Sequence, residues 1–303
     1  MVSLKYGKNF LHWAKQKFFP IFLAIVPLFF LSCEPSDIET VNSLLDITIY
    51  TAGVEGNAVT SILLETEDEL VLIDCQMLKA EAANVLLLIQ KIGKKLTRIF
   101  ITHSHPDHYF GLPVLQDAFP GVQILASPKT VTEIQNTAAA TFASLKAIYG
   151  DKIADRYVIP AGLNSTTLKI GNYDLPLYEY STGESKEVTI VHIPTHKILI
   201  ATDTVYKDTH LFLADKQPAG WNAILDQIAA LPNVSTIYPG HGTLGGLELL
   251  NENRQYIADF IAATQEPGAN AATVIAKMKA LYPLYGGDFL LQLSAQAYFP
   301  KQE

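Results

Sequence analysis

Four side chains within six residues could do chemistry together: His103, His105, Asp107 and His108, in the run Thr-His-Ser-His-Pro-Asp-His-Tyr. Three of the chain's eight histidines sit here. His103 and His105 alternate along an extended segment, so their rings can point the same way and reach one point. Asp107 and His108 follow where the chain turns into a helix, and reach a second point beside the first. Neutral imidazole and carboxylate are the ligands that zinc and its neighbours prefer. The spacing therefore reads as paired metal sites rather than as a polar turn that happens to be rich in histidine.

Elements that must hold this loop flank it. An apolar strand over 95–101 feeds it, preceded by a helix over 78–92 that stops at Gly93. Further upstream, 45–50 alternates as a first strand, and 58–65 and 70–74 read as a strand pair around the acidic turn Thr66-Glu67-Asp68-Glu69. After the loop come a short helix over 109–119, a brief strand over 123–126 and a long helical stretch over 128–150. This βαβ rhythm implies a sheet with helices packed on it. Strands then follow over 167–170, 173–180, 188–193 and 197–202, with turns at Gly171-Asn172 and Thr195-His196. A helix opening at Trp221, a strand from Thr236, and helical segments over 246–264, 269–281 and 289–299 complete the chain.

The pattern His-x-His-x-Asp-His resembles the signature of the metallo-β-lactamase superfamily, a set of metal-dependent hydrolases with an αββα sandwich and one or two metals at its edge. The resemblance implies that fold over 45–265, with a C-terminal helical extension over 266–303. It also implies further ligands. Asp203, ending the apolar run Ile198-Leu-Ile-Ala-Thr-Asp203, resembles the aspartate that bridges both metals. His241, in Tyr-Pro-Gly-His-Gly, resembles the family's last metal histidine, its glycines allowing a sharp turn. Asp74, at the end of Leu-Val-Leu-Ile-Asp, corresponds to an aspartate that orients a ligand; a turn residue is the alternative.

One position departs from the family. A histidine is expected about 19 residues before the bridging aspartate, in a Gly-His-Ser/Thr segment. Counting back from Asp203 lands on Glu184, in Thr182-Gly-Glu-Ser185. Glutamate is a competent ligand for zinc and for manganese or iron(II), so Glu184 is expected to replace the imidazole. His192, His196 and the lack of any third ligand stand as alternatives. Tyr109, Tyr206 and His210 lie in loops beside the ligands and are candidates to touch substrate, or simply to anchor those loops. In the resembled family the region between the motifs varies and often covers the substrate, so the stretch over 128–150 reads as a lid or as a packing helix. Trp221 and Cys75 read as core.

The chain has 303 residues, 49% hydrophobic, and a net charge of −8. The first 32 residues hold Lys5, Lys8, Lys15 and Lys17 and no acid, so the remainder carries −12. Such a body argues against a phosphate-backbone partner, which calls for clustered Lys and Arg. No nucleic acid is expected, and the nuclease branches are disfavoured. The basic start is followed by an apolar run over 18–31, too short to span a bilayer as a helix and interrupted by Pro20 and Pro27. It ends Phe30-Leu31-Ser32-Cys33, which resembles a bacterial lipobox. Residues 1–33 are thus expected to be an export signal with Cys33 lipidated, and 34–44 a polar tether. An ordinary signal peptide or an anchor helix is the alternative.

Together these expectations describe an exported, lipid-anchored hydrolase with two zinc ions, manganese or iron being possible. His103, His105 and Glu184 would hold one ion, Asp107, His108 and His241 the other, and Asp203 both. The resemblance implies a metal-activated hydroxide attacking an ester, lactone, thioester or lactam of a small molecule, with Asp107 orienting it. A β-lactamase proper and an exported metal-binding protein without hydrolase activity are the competing readings.

Overall fold

The computed structural model describes residues 44–300. The expected export signal, Cys33 and nearly all of the tether lie outside the described residues. Among those described, no helix is long and apolar enough to cross a membrane.

Two mixed sheets form the centre. The first has six strands in sequential order: β1 (Asp46–Thr51), β2 (Thr60–Glu65), β3 (Glu69–Ile73), β4 (Lys95–Ile101), β5 (Gln123–Ala126) and the two-residue β6 (Ala161–Gly162). The β1–β2–β3 pairs are antiparallel and those from β3 to β6 parallel. The parallel pairs need crossovers. These are α1 (Lys79–Ile92), the short α2 (Pro106–Tyr109) with α3 (Leu112–Ala118), and α4 (Pro128–Tyr149). The second sheet runs β11 (Thr236–His241), β10 (Ile198–Tyr206), β9 (Glu187–Ile193), β8 (Tyr173–Ser181), β7 (Thr167–Ile170). It is antiparallel except for β10–β11, joined through α5 (Pro218–Ala229).

Alternation along single strands builds the layers, because successive strand side chains face opposite sides. On β3, Leu70 and Leu72 face α1, α3 and α4, while Val71 and Ile73 face the other sheet. On β4, Ile99 and Ile101 take the helix side and Phe100 the inter-sheet side. On β10, Leu199 and Ala201 meet the outer helices and Ile200 the first sheet. The result is helix, sheet, sheet, helix: the αββα sandwich expected. Burying each such Leu or Ile side chain contributes about 1.5–3 kcal/mol.

Three differences from expectation have local causes. The helix expected over 109–119 is broken into α2 and α3 at Gly111, whose N–H donates to the Gln76 carbonyl at 2.7 Å. A Cβ on Gly111 would lie 2.9 Å from both Ala82 Cβ and the Gln76 oxygen, so the chain is pinned there. Strand β10 does not end at Asp203 but continues to Tyr206 through an irregularity at Thr202, where φ is +45°. Finally, α7 (Ala271–Leu281) and α8 (Asp288–Tyr298) are not an appendage. Val274, Met278, Leu290 and Leu291 share one apolar cluster with α6 (Glu248–Thr264), with Trp221 and Leu225 of α5, and with Leu199 of β10.

Candidate metal centre

The loop after β4 opens on Thr102. Its N–H and hydroxyl both donate to Asp74, at 2.9 and 2.8 Å. Asp74 sits just past β3 in the left-handed region (φ +56°) and is buried. It also accepts from His108 Nδ1 at 2.9 Å. These are the contacts a residue that orients His108 would make. The loop is tied to the second sheet by Thr189 N–H donating to the Thr102 carbonyl at 2.9 Å and by a bridge between His103 and Val188. That contact brings the β8–β9 turn, with Glu184 in it, over His105.

Two clusters result. In the first, His105 Nδ1 lies 3.1 Å from Glu184 Oε1, and His103 Nε2 lies 3.7 Å from Asp203 Oδ2 and 4.0 Å from Glu184 Oε2. In the second, His241 Nε2 lies 3.5 Å from Asp107 Oδ2 and 3.2 Å from Asp203 Oδ2. His108 Nε2 lies 3.1 Å from Asp203 Oδ1. Asp203 thus stands between both groups. His192, considered for the third ligand, is packed on β9 and pairs its Nε2 with the Asn233 carbonyl at 3.1 Å. His196 is exposed and turned to Thr195.

The chemistry of the donor set tests whether cations fit. Three imidazoles have Nδ1 on an acceptor: His103 on Thr102 Oγ1, His108 on Asp74 and His241 on the Asn57 carbonyl. Each ring thereby turns its Nε2 inward, the orientation a metal ligand needs. His103 Nε2, His108 Nε2, Glu184 Oε2 and Asp203 Oδ1 are all buried without a hydrogen-bond partner. Four orphaned buried atoms so close together are costly unless a cation satisfies them. The residues present fit divalent metal.

Electrostatics agree. Burial opposes the charge on Asp203, yet His108, His241 and His103 outweigh it and hold the carboxyl well below the usual carboxylate range. Burial raises Glu184 to about 7 against the pull of His105, with Asp203 adding to the rise. Burial likewise works against charge on His105, but Glu184 raises it to about 9.

The candidate substrate contacts separate. Tyr206 lies on the wall of the adjoining cavity. Its phenol reaches Asp203 Oδ2 at 2.7 Å and Glu184 Oε1 at 3.1 Å, and its ring stacks on His241 at 4.7 Å. Tyr109 does not reach the cavity. It is buried in the first sheet's helix-side core against Phe110, because its place in α2 turns it away from the ligands one residue earlier. His210 is also buried, its Nδ1 paired with Tyr256 Oη at 2.8 Å beneath α6 and α8. It anchors the loop after β10.

Residues not anticipated from sequence also shape the centre. Thr102 and Thr202 share a 2.9 Å hydroxyl contact and each directly precedes a ligand; that adjacency was the available signal. The Asn57 carbonyl and Phe212, edge-on to His105 at 5.0 Å, had no sequence signal. At Gly240 the need is for space rather than for an unusual turn. A Cβ there would overlap Asp203 Oδ1 and sit 2.8 Å from the Thr202 carbonyl carbon.

A layered αββα fold with carboxylate and imidazole donors gathered at its edge defines a candidate metal-binding protein. The profile of the metallo-beta-lactamase superfamily matches residues 54–241, which include all seven candidate ligands. The chain belongs to that superfamily. It is 26% identical over 178 residues to a metallo-beta-lactamase type 2 of Bacteroides fragilis, covering 57% of this chain and 64% of that protein. It is 25% identical over 162 residues to a hydroxyacylglutathione hydrolase of Gloeothece citriformis, covering 54% and 56%. The chain therefore spans 64% and 56% of the length of these two relatives, less than two thirds of either. Among solved structures, a beta-lactamase domain protein from Burkholderia ambifaria aligns over 84% of this chain and 85% of that one, with a TM-score of 0.58 and 18% identity. A metallo-beta-lactamase from Pontibacter korlensis aligns over 71% and 99%, with a TM-score of 0.53 and 22% identity. At these identities the structural likeness speaks for the fold.

Proposed function

We propose that the protein is a metal-dependent hydrolase of a small-molecule ester or lactone, with two divalent cations, zinc foremost. The observation that carries this is the set of orphaned buried donors, His103 Nε2, His108 Nε2, Glu184 Oε2 and Asp203 Oδ1, beside an open cavity. His103, His105 and Glu184 would hold one cation, Asp107, His108 and His241 the other, and Asp203 both. When bound, such cations lower the pKa of water and polarise the electrophile.

The chain's own residues do the rest. Of the ligand carboxylates, Asp107 alone has appreciable access to the cavity, its side chain 16% exposed against 0% for Glu184 and 1% for Asp203. Its carboxylate is the group that can take a proton from the attacking water and pass it to the leaving group. Tyr206 is kept protonated by burial and by Asp203 and Glu184, so its phenol remains a donor that steadies those two carboxylates. Glu184 makes the first cluster more anionic than an all-imidazole set, which supports manganese or iron(II) as workable alternatives to zinc.

Metal analysis of the wild type beside Glu184→Ala and Glu184→His tests the ligand set, and a panel of esters, lactones, thioesters and β-lactams tests the reaction. Loss of one equivalent of metal in Glu184→Ala, with recovery in Glu184→His, is expected. Asp107→Ala should lose turnover more than metal. Bound metal without turnover on any member of the panel favours a metal-binding protein without hydrolase activity. Hydrolysis of β-lactams alone favours the second reading, a β-lactamase, which the similarity to a type 2 enzyme motivates.

For location, we propose export and lipidation at Cys33, supported by the basic and apolar N-terminal residues. Radiolabelled palmitate incorporation that persists in Cys33→Ser would refute it.

A further inference from the structure

The cavity beside the metal centre has a volume of about 640 Å³, the size of a small-molecule site. One wall is α4. Thr137, Ala140, Thr141, Ser144 and Ile148 line it, and their spacing places them on a single helical face. The four nearest Glu133 are small, so that face is a trough. At 1.5 Å per residue the stretch from Thr137 to Ile148 runs about 16 Å. Another face of the same helix buries Ile134 and Ala138 against the first sheet's core, so the trough is held rather than hinged. The helix therefore both packs on the core and walls the cavity. Opposite lie Phe212, Phe289, Leu290 and Leu293. The walls away from the metals are thus apolar or small.

Charge restricts the cavity further. Among its lining residues are five carboxylates and one ammonium, Lys186. Lys186 Nζ is committed to Glu133 Oε1 at 2.8 Å. Two divalent cations bring this set to about neutral and leave no positive charge for a substrate carboxylate. Asp215, on the same wall, adds to the negative field felt at His105 and Glu184.

We propose that this cleft takes the uncharged, apolar arm of an ester or lactone, laid between α4 and α8, and discriminates against substrates that carry a carboxylate. The proposal rests on the hydrolase reading for the chemistry and on the cleft alone for the arm. It separates this chain from the substrate chemistry that its relatives' names suggest, because glutathione thioesters and common β-lactam antibiotics bear carboxylates. Such a group on the arm, between α4 and α8 and away from the metals, would be desolvated without a cationic partner.

Binding can be read apart from turnover. Calorimetry on the zinc-loaded protein would compare butyramide, octanamide and suberamate, the last matching octanamide in length but ending in a carboxylate. Octanamide is expected to bind more tightly than butyramide by about three- to fourfold per methylene, and suberamate at least about tenfold more weakly than octanamide. Ser144→Phe, which fills the trough from an exposed position, should lower octanamide binding at least about tenfold while metal content stays that of the wild type. Ala140→Leu serves the same purpose should the Phe variant fail to fold. Equal binding of butyramide and octanamide, or of octanamide and suberamate, overturns the proposal. Turnover of butyryl and octanoyl esters without any dependence on chain length overturns it too, and leaves the hydrolase reading standing. A clear chain-length trend in amide binding with no ester turnover supports the cleft and removes the hydrolase reading.

Discussion

Asp74→Asn tests whether the metal histidines are set by what stands behind them. Asp74 is buried and accepts three hydrogen bonds: from Thr102 N–H on Oδ1, and from Thr102 Oγ1 and His108 Nδ1 on Oδ2. An amide of the same shape has one acceptor oxygen. If that oxygen keeps Thr102 N–H, the new NH₂ faces His108 Nδ1 and donates to it. The imidazole proton then moves to Nε2, the atom that must bind metal. If the amide turns over, its NH₂ opposes Thr102 N–H, at a cost of about 1–3 kcal/mol in stability. The first arrangement should weaken the cation held by Asp107, His108 and His241 by about ten- to a hundredfold, or roughly 1.4–2.7 kcal/mol. The other cation should weaken less, because His103 reaches Asp74 only through the Thr102 hydroxyl. Competition with a chromophoric chelator resolves the two dissociation constants, and nitrogen NMR reads the His108 tautomer. A folded Asp74→Asn protein with both constants and the tautomer unchanged would show that this network does not set the ligands.

Other outcomes follow from the same geometry. Gly240→Ala forces a methyl against Asp203, so bound metal should fall and stability drop by about 1–3 kcal/mol; chelator competition and urea unfolding measure both. Metal uptake should release protons, since His105 is raised to about 9 and Glu184 to about 7. Apparent affinity should therefore fall as pH drops below 9 and more steeply below 7; Glu184→Gln should remove the steeper part and, because Glu184 is what raises His105, carry the onset below 9 in calorimetry across buffers. Burial lowers His210 to about 4, below its ordinary value near 6.5. The unfolded chain then binds the extra proton between these values, so stability is lost as pH falls from about 6.5 to 4, by at most about 1.4 kcal/mol per unit and less where water reaches the ring. His210→Gln should flatten that slope in urea titrations at successive pH values; an unchanged slope counts against the buried neutral ring.

Most of the candidate metal ligands were legible because they lie in short local motifs. His103, His105, Asp107 and His108 share one loop, and Asp203 and His241 each come directly after a short strand-forming stretch, Ile198-Leu-Ile-Ala-Thr and Thr236-Ile-Tyr-Pro-Gly. The layered fold was legible for the same reason, in short unbroken apolar runs such as Leu70-Val71-Leu72-Ile73, the mark of a strand buried on both faces. What the sequence could not decide is anything that depends on which segments meet. Glu184, His192 and His196 are all competent donors, and only the bridge from His103 to Val188 carries Glu184 to the centre while His192 turns to Asn233. Tyr109 and Tyr206 look alike as loop tyrosines, but α2 buries one in the core and the irregular end of β10 sets the other on two ligand carboxylates. The C-terminal helices read as an extension because nothing in their own residues says what they cover. Their packing against α5 and β10 makes them a wall of the cavity. A strand or a loop motif carries its own periodicity, whereas a pocket is made by surfaces far apart in the chain and exists only once they are packed.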